Sequence, residues 1–199
     1  TAGYLRGKGF SVGILDANAE NLDIEETVTK ASSAGARYVA VVCYSQQANV
    51  CAPIMVAVNT LVQQIKAKFP EQKVVLSGWH PSASPERSLQ ESGADYVIKG
   101  EGFASFAALL SGKPLKEVPG LYYRNGETID FNPPAGNIQD LGKELPEVAW
   151  DLLPMDKYRA FSWMCLRDFS ERRKFASIFT SLGCPYRCKF CAIHATYGE

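Results

Sequence analysis

The sequence lacks several features that would place a protein in a broad class at once. No apolar run approaches the ~20 residues that span a bilayer as a helix, and the first residues lack the charged-then-apolar layout of a secretion signal. The 21 Lys and Arg residues equal the 21 Asp and Glu residues in number. No net charge therefore draws the chain towards nucleic acid or anionic lipid, and we expect neither partner.

The cysteines do not form the framework of a disulfide-stabilised secreted protein. Three of the six lie within eight residues near the end of the sequence, as Cys184, Cys188 and Cys191. This uneven spread favours a metal site in a reducing cytoplasm. Cys43 is interpreted as core filling at a strand end, and spacing gives Cys51 and Cys165 no partner and no chemistry.

Residues 1–112 alternate between short apolar runs and helical stretches. The runs are rich in Val and Ile and hardly alternate with polar residues, as expected for strands buried on both faces. This alternation predicts an α/β fold, a Rossmann-like doubly wound parallel sheet. The predicted strands are residues 11–17, 38–45, 73–80 and 95–102, and the predicted helices are 25–34, 53–69, 85–92 and 103–111. Residues 2–10 read as a helix tail ending at Gly9, so a first strand is expected before them.

The sequence pattern changes after Gly112, from alternating strands and helices to a β-rich run and then a Pro-rich segment. The run "GLYYRNGETIDFN" predicts a β-hairpin that turns at Asn125 and Gly126, because this pair tolerates positive φ angles. Residues 132–158 are rich in Pro and are predicted to run extended over the surface. Residues 174–184 are predicted to form a new buried strand that ends at the cysteine loop.

The cysteine spacing is C-x3-C-x2-C. Thiolates at these intervals on a curled loop can bind three irons of a [4Fe-4S] cluster and leave the fourth without a protein ligand. Such an open position is what a catalytic metal centre needs. An alternative is a Cys3His zinc site that uses His194, three residues after the last cysteine.

The loops after the predicted strands are the expected ligand positions, because ligands of open parallel sheets bind beyond the carboxyl ends of the strands. Glycines in these loops allow a bulky ligand to approach the backbone. By position, the candidate binding residues are Ser45, Gly78, Trp79, His80, Gly100, Glu101 and Gly102. For His80 the alternative is packing within its loop, and for Glu101 it is capping the next helix. The segment "GEGFAS" is only a weak match to a dinucleotide-binding loop.

Several motifs together resemble a known family. The sequence contains "GWHPSASPE", "DYVIKGEG", "VPGLYYRNG", "WDLLPMDKY" and then "TSLGCPYRCKFC", with the aromatic Phe190 before the last cysteine. This combination, over essentially the whole chain, resembles the cobalamin-binding radical S-adenosylmethionine (radical SAM) enzymes. The resemblance implies that the candidate loop residues bind cobalamin, that the three cysteines hold the cluster, and that Phe190 contacts S-adenosylmethionine. An Asp-x-His-x-x-Gly loop, which supplies a lower cobalt ligand in many cobalamin domains, does not occur.

The resemblance also implies a division of the chain and an activity. Residues 1–112 would form the cobalamin-binding domain, residues 113–172 the hairpin and linker, and residues 173–199 the start of a radical SAM βα barrel. The expected activity is methyl transfer to an unactivated carbon or phosphorus of a small-molecule substrate, in an anaerobic cytoplasm, with a one-electron donor such as flavodoxin or ferredoxin. The alternatives are a radical cyclase of the anaerobic tetrapyrrole type, a non-catalytic zinc-binding module and a nucleotide-binding regulatory domain.

Overall fold

A computed structural model describes residues 1–44, 51–145, 147–161 and 172–198. In this part of the chain, helices and strands alternate up to residue 110, and a hairpin follows. The α-helices are α1 Ala2–Gly7, α2 Ile24–Ser33, α3 Ile54–Lys68, α4 Trp79–Ala83, α5 Pro85–Ser92, α6 Phe103–Leu110, α7 Leu141–Glu144 and α8 Ile193–Tyr197. The strands are β1 Tyr38–Cys43, β2 Lys73–Gly78, β3 Tyr96–Ile98, β4 Leu121–Asn125 and β5 Thr128–Phe131.

The strands form one sheet in the order β1-β2-β3-β4-β5. The first three are parallel, and the hairpin β4–β5 continues the sheet in the antiparallel direction. Because side chains alternate across a strand, Val75 faces one core while its neighbours Val74 and Leu76 face the other. Helices α2, α3 and α5 contribute to the core on the Val74 side, and helices α1 and α6 to the core on the Val75 side. The predicted doubly wound α/β fold is therefore confirmed.

Local signals placed most helices correctly. Asp23 caps α2 by accepting a hydrogen bond from the backbone N–H of Glu26 at 2.8 Å, while the Glu26 carboxylate accepts one from Asp23 N–H. The hairpin is also confirmed, but its turn lies one residue later than predicted. Asn125 pairs with Thr128, so the two-residue loop begins at Gly126, whose φ is +62°.

Three sequence predictions are wrong. The predicted strand at residues 11–17 does not form, and residues 11–16 have no regular structure. A strand needs a neighbouring strand to satisfy its backbone hydrogen-bonding groups. Strand β1 is the edge of the described sheet, so no described strand pairs with these residues. Residues 174–184 form only an isolated bridge between Arg159 and Lys174, and Phe179 is 71% exposed instead of buried. The segment 132–158 is not simply extended, since it contains α7 and two 3-10 turns, Trp150–Leu152 and Met155–Lys157.

None of the helices in the described residues is both long and apolar enough to cross a bilayer. The division into three segments at residues 112 and 172 stays a prediction. The hairpin that begins the second segment pairs directly with β3.

The amino ends of the strands are joined by one carboxylate, Asp95. It accepts hydrogen bonds from the backbone N–H of Val74 at 2.9 Å and from the ammonium groups of Lys66 and Lys73, both at 3.1 Å. Burial acts to raise the pKa of Asp95, but the hydrogen bonds from Val74, Lys66 and Lys73 outweigh it and hold the pKa below its usual value. Asp95 thus ties α3 to β2 and to the start of β3.

We predict that Asp95→Asn lowers the free energy of unfolding by about 1–3 kcal/mol at neutral pH, because two ammonium groups lose their partner. A depressed pKa in the folded state stabilises the protein above the unfolded-state pKa, and this contribution disappears as pH falls through the folded pKa. Urea unfolding should therefore show the two proteins converging below about pH 4. Asp151→Asn is the control, since its ion pair with Arg6 is exposed and should matter little; a constant difference down to pH 2 would contradict the assignment.

Candidate functional site at the carboxyl edge of the sheet

The carboxyl ends of β1 and β2 meet at a close backbone contact. Cys43 and Gly78 are register partners, and Gly78 has φ +110°. A Cβ atom at Gly78 would lie 2.6 Å from the Cys43 carbonyl oxygen, which no real side chain tolerates. Glycine is therefore required at the point where β2 passes into α4.

Trp79 begins α4 and lies directly on this edge. Its side chain is 5% exposed and packs edge-on against Tyr44, with ring centroids 5.0 Å apart. The indole Nε1, a hydrogen-bond donor, is buried and has no partner in the described part of the chain. A buried donor without a partner is costly and marks a position where a ligand can bind.

The loop after β3 brings the next predicted residues to the same edge. Gly100 and Gly102 have φ values of +96° and +82°, and the Gly100 N–H donates to Ser82 Oγ at 3.1 Å. Glu101 does not cap α6 with its side chain; its Oε2 accepts a hydrogen bond from the Ile138 N–H at 2.8 Å. Burial raises the pKa of Glu101, with the Ile138 hydrogen bond opposing this shift and nearby Glu144 adding to it.

His80 lies on α4, half-buried, next to Trp79. Burial lowers its pKa, and the Arg87 guanidinium acts in the same direction while Glu91 opposes it. The imidazole is thus favoured in its neutral form. Ser45, the remaining predicted cobalamin contact, lies outside the described residues.

Helix α8 covers this edge of the sheet, a contact that was not predicted from the sequence. Helix α8 packs on α4, and the hydroxyl of Tyr197 lies 3.3 Å from that of Tyr44. The amide of Asn137 donates to the Tyr197 carbonyl oxygen. Burial raises the pKa of both tyrosines, most strongly for Tyr44, so both hydroxyls stay protonated. The sequence carried no motif around these three residues.

Helix α8 has buried polar atoms without partners as well. Among the described residues, five buried side-chain polar atoms have no hydrogen-bond partner, and three of them belong to α4 or α8: Trp79 Nε1, His194 Nδ1 and Thr196 Oγ1. The other two, on Ser32 and Asn59, lie on α2 and α3. The unmet hydrogen-bonding capacity is therefore concentrated at the carboxyl edge.

The three motif cysteines are free thiols. Cys188 is exposed, while Cys184 and Cys191 are half-buried, and Cys191 packs against the buried pair Cys51 and Trp79. No group of three or more His, Cys, Asp or Glu side chains comes close enough to hold a metal ion in the ranges that the structure describes. His194 is no exception, because its Nε2 donates to the Tyr186 carbonyl oxygen at 2.7 Å. Phe190, the predicted S-adenosylmethionine contact, is 73% exposed.

The geometry suits two cofactors to different degrees. At the carboxyl edge, glycines allow a ligand to approach the backbone, and several buried polar atoms have no partner in the part of the chain that the structure describes. These atoms can bond to the amide groups of a large ligand, so the residues present fit cobalamin. At the cysteine loop the chemistry of three free thiols fits an iron–sulfur cluster, but the described thiols are not close enough together to hold a metal ion. Together these features define an open α/β cofactor-binding domain that binds its ligand beyond the carboxyl ends of the parallel strands.

Comparison with known proteins identifies the family. The model of the B12 binding domain matches residues 1–110, and the chain belongs to that family. An uncharacterised methyltransferase of Pyrococcus horikoshii is 35% identical over 131 residues, which are 63% of this chain and 26% of the relative. The hopanoid C-3 methylase of Methylococcus capsulatus is 33% identical over 166 residues, 80% of this chain and 29% of the relative. The chain thus spans between a quarter and a third of the length of these relatives.

Solved structures share the fold. The radical SAM methyltransferase TsrM from Kitasatospora setae, solved with cobalamin and a [4Fe-4S] cluster bound, superposes with a TM-score of 0.55 at 21% identity, over 70% of this chain and 26% of that one. The cobalamin-dependent S-adenosylmethionine radical enzyme OxsB, with cobalamin and S-adenosylmethionine bound, gives a TM-score of 0.52 at 15% identity, over 67% and 19% of the two chains.

We predict that Gly78→Ala destabilises the protein by about 1–3 kcal/mol, because the new methyl group meets the Cys43 backbone and the residue must hold a positive φ. Gly13→Ala is the matched control, since Gly13 has open space around it and its φ is not in the left-handed range. Urea unfolding measures both. Equal stabilities for the two variants would show that the contact at the carboxyl edge is not a constraint.

Proposed function

We propose that the protein acts in a cobalamin-dependent radical SAM enzyme that transfers a methyl group to an unactivated carbon or phosphorus of a small molecule. One observation carries the proposal. The chain contains a B12-binding domain, and helix α8 packs on α4 at the carboxyl edge of its sheet. The loop that leads into α8 bears three free cysteines. The last of them, Cys191, packs against the buried pair Cys51 and Trp79 at this edge. The choice of methyl transfer is supported by two relatives that are named as a methyltransferase and a methylase.

In this proposal the carboxyl edge binds cobalamin. The glycine backbone at Gly78, Gly100 and Gly102 gives the ring close access, and Trp79 Nε1 supplies a hydrogen-bond donor that has no partner among the described residues. Glu101 acts indirectly, because its carboxylate fixes the segment around Ile138 along the side of the site. The nearby Tyr44 hydroxyl stays protonated and can donate a hydrogen bond.

Helix α8 must shift for a ring of this size to reach Trp79. The indole is 5% exposed, and α8 is among the elements that cover it. Helix α8 is only five residues long and is held at its end by the Tyr44–Tyr197 contact and the Asn137 hydrogen bond. Each such contact contributes about 1 kcal/mol, so a bound ligand can displace the helix.

The cysteine loop holds the second cofactor in this proposal. Cys184, Cys188 and Cys191 would bind a [4Fe-4S] cluster, and Phe190, which stands before the last cysteine, would contact S-adenosylmethionine. When bound, cobalamin supplies a transferable methyl group and the cluster supplies the electron that cleaves S-adenosylmethionine. A one-electron donor such as flavodoxin or ferredoxin would deliver that electron.

We predict that Trp79→Phe weakens the retention of cobalamin roughly five- to tenfold, because one hydrogen bond of about 1 kcal/mol is lost. Equilibrium dialysis of the intact protein measures this. Since Nε1 has no partner among the residues that the structure describes, the variant should lose no hydrogen bond to them, and its stability should change only through packing. Trp150→Phe, in a 3-10 turn of the linker, is the control. If the two variants bind cobalamin with equal affinity, the Trp79 indole does not donate a hydrogen bond to the ligand.

We predict that anaerobic reconstitution with iron and sulfide gives a brown protein whose reduced form has an electron paramagnetic signal that S-adenosylmethionine perturbs. Cys184→Ala, Cys188→Ala and Cys191→Ala should each abolish the signal. Cys43→Ala should retain it, because Cys43, the last residue of β1, is fully buried in the core.

Three other outcomes would decide against the proposal. Tightly bound zinc without an iron–sulfur signal would favour a zinc-binding module, and retention of nicotinamide cofactors instead of cobalamin would favour a nucleotide-binding domain. If both cofactors bind but the reaction product carries no new methyl group, a radical cyclase would replace the methyltransferase.

A further inference from the structure

Cys51, which has no partner by spacing in the sequence, belongs to the same group of packed side chains as Cys191, a proposed ligand of the iron–sulfur cluster. It is 8% exposed and forms a small buried cluster with Trp79, separate from the two main cores. Cys191 packs against this cluster from α8's side of the site, next to Ala192 and Ile193. Two free thiols from distant parts of the chain, residues 51 and 191, are thereby brought to the same indole.

Of the described cysteines, Cys191 is the one that packs against the buried pair Cys51 and Trp79. The other cysteines have different surroundings. Cys188 is exposed, and Cys43 is enclosed in the sheet core, where its thiol faces the Val41 carbonyl oxygen at 3.8 Å.

We propose that Cys51 is a resolving thiol for Cys191, and that oxidation joins the two in a reversible disulfide when no cluster is bound. The inference rests on the proposed function in one respect, namely that Cys191 is a cluster ligand. It adds a modification site and a form of regulation that the cofactor assignment does not contain.

The chemistry is balanced with hydrogen peroxide as the oxidant. The Cys191 sulfur attacks one peroxide oxygen, the O–O bond breaks, and a sulfenic acid and one water form. The Cys51 sulfur then attacks the Cys191 sulfur, an S–S bond forms, and the hydroxyl leaves as a second water. Two thiols are oxidised by two electrons, and one peroxide is reduced. Cys191 is the first to react because it is the more accessible of the two.

The disulfide would have two consequences. It withdraws one of the three proposed cluster ligands, so an oxidised protein should lose the three-cysteine site for the cluster. It also joins the cysteine loop covalently to the Trp79 cluster, which keeps α8 on α4 and closes the carboxyl edge. Because a dithiol reverses it, the bond protects Cys191 from irreversible oxidation to the sulfinic acid.

The test begins with the intact, iron-free protein treated with a small excess of hydrogen peroxide and then alkylated. We expect the loss of two free thiols per chain and a peptide that links Cys51 to Cys191 in the mass spectrum. Cys43→Ala should give the same linked peptide. Cys51→Ser should not form it, and should accumulate Cys191 sulfinic acid instead.

Recovery of the cluster provides a second readout. After peroxide and then dithiothreitol, the wild-type protein should regain its reconstitution yield, whereas Cys51→Ser should not. A disulfide between Cys191 and Cys184 or Cys188, or thiols that all stay free, would overturn the inference. Such a result leaves the anaerobic reconstitution untouched, so failure of this inference and failure of the proposed function can be told apart. The peptide map of the wild-type protein decides the question even if the serine variant does not fold.

Discussion

The contact between Cys43 and Gly78 is the constraint on which the carboxyl edge depends. The register of β1 and β2 places these two residues side by side, and the backbones are so close that no side chain fits at position 78. The positive φ of Gly78 turns the chain sharply out of the sheet into α4. Trp79 consequently lies at this edge, where it packs against Tyr44 and Cys51, and Cys191 packs against the pair of Trp79 and Cys51.

The two edges of the sheet differ in how their polar groups are satisfied. At the amino edge, Asp95 meets two ammonium groups and a backbone N–H. At the carboxyl edge, buried polar atoms on Trp79, His194 and Thr196 have no partner in the described residues. Each costs about 1–3 kcal/mol while it stays unpaired. The hydrogen bonds and ion pairs of Asp95 stabilise the amino edge of the sheet. The polar atoms at the carboxyl edge are therefore available for hydrogen bonds with a ligand.

Elements whose ends are marked by local residues were predictable from the sequence. Elements that need a neighbouring strand to form were not. The helix at residues 85–92 matched to the residue, because Pro85 and Gly93 mark its ends locally. The runs 11–17 and 174–184 have strand composition but no described strand to pair with, and composition cannot reveal a missing partner. At the site, the glycines and Trp79 were predictable from their position after buried strands. Tyr197, Asn137 and Cys51 were not, because they reach the edge through tertiary contacts over long sequence separations.

The open arrangement of the cysteine loop follows from the chemistry proposed for it. Cysteines bind a metal in their deprotonated form, so assembly of such a site is coupled to binding of the metal. The loop has no regular structure until α8 begins, and it exposes Ile178, Phe179 and Phe190. The half-buried Cys191 packs instead against the buried pair Cys51 and Trp79. In the proposed function this same residue would bind iron, so formation of the cluster and opening of the carboxyl edge would both act on this one contact.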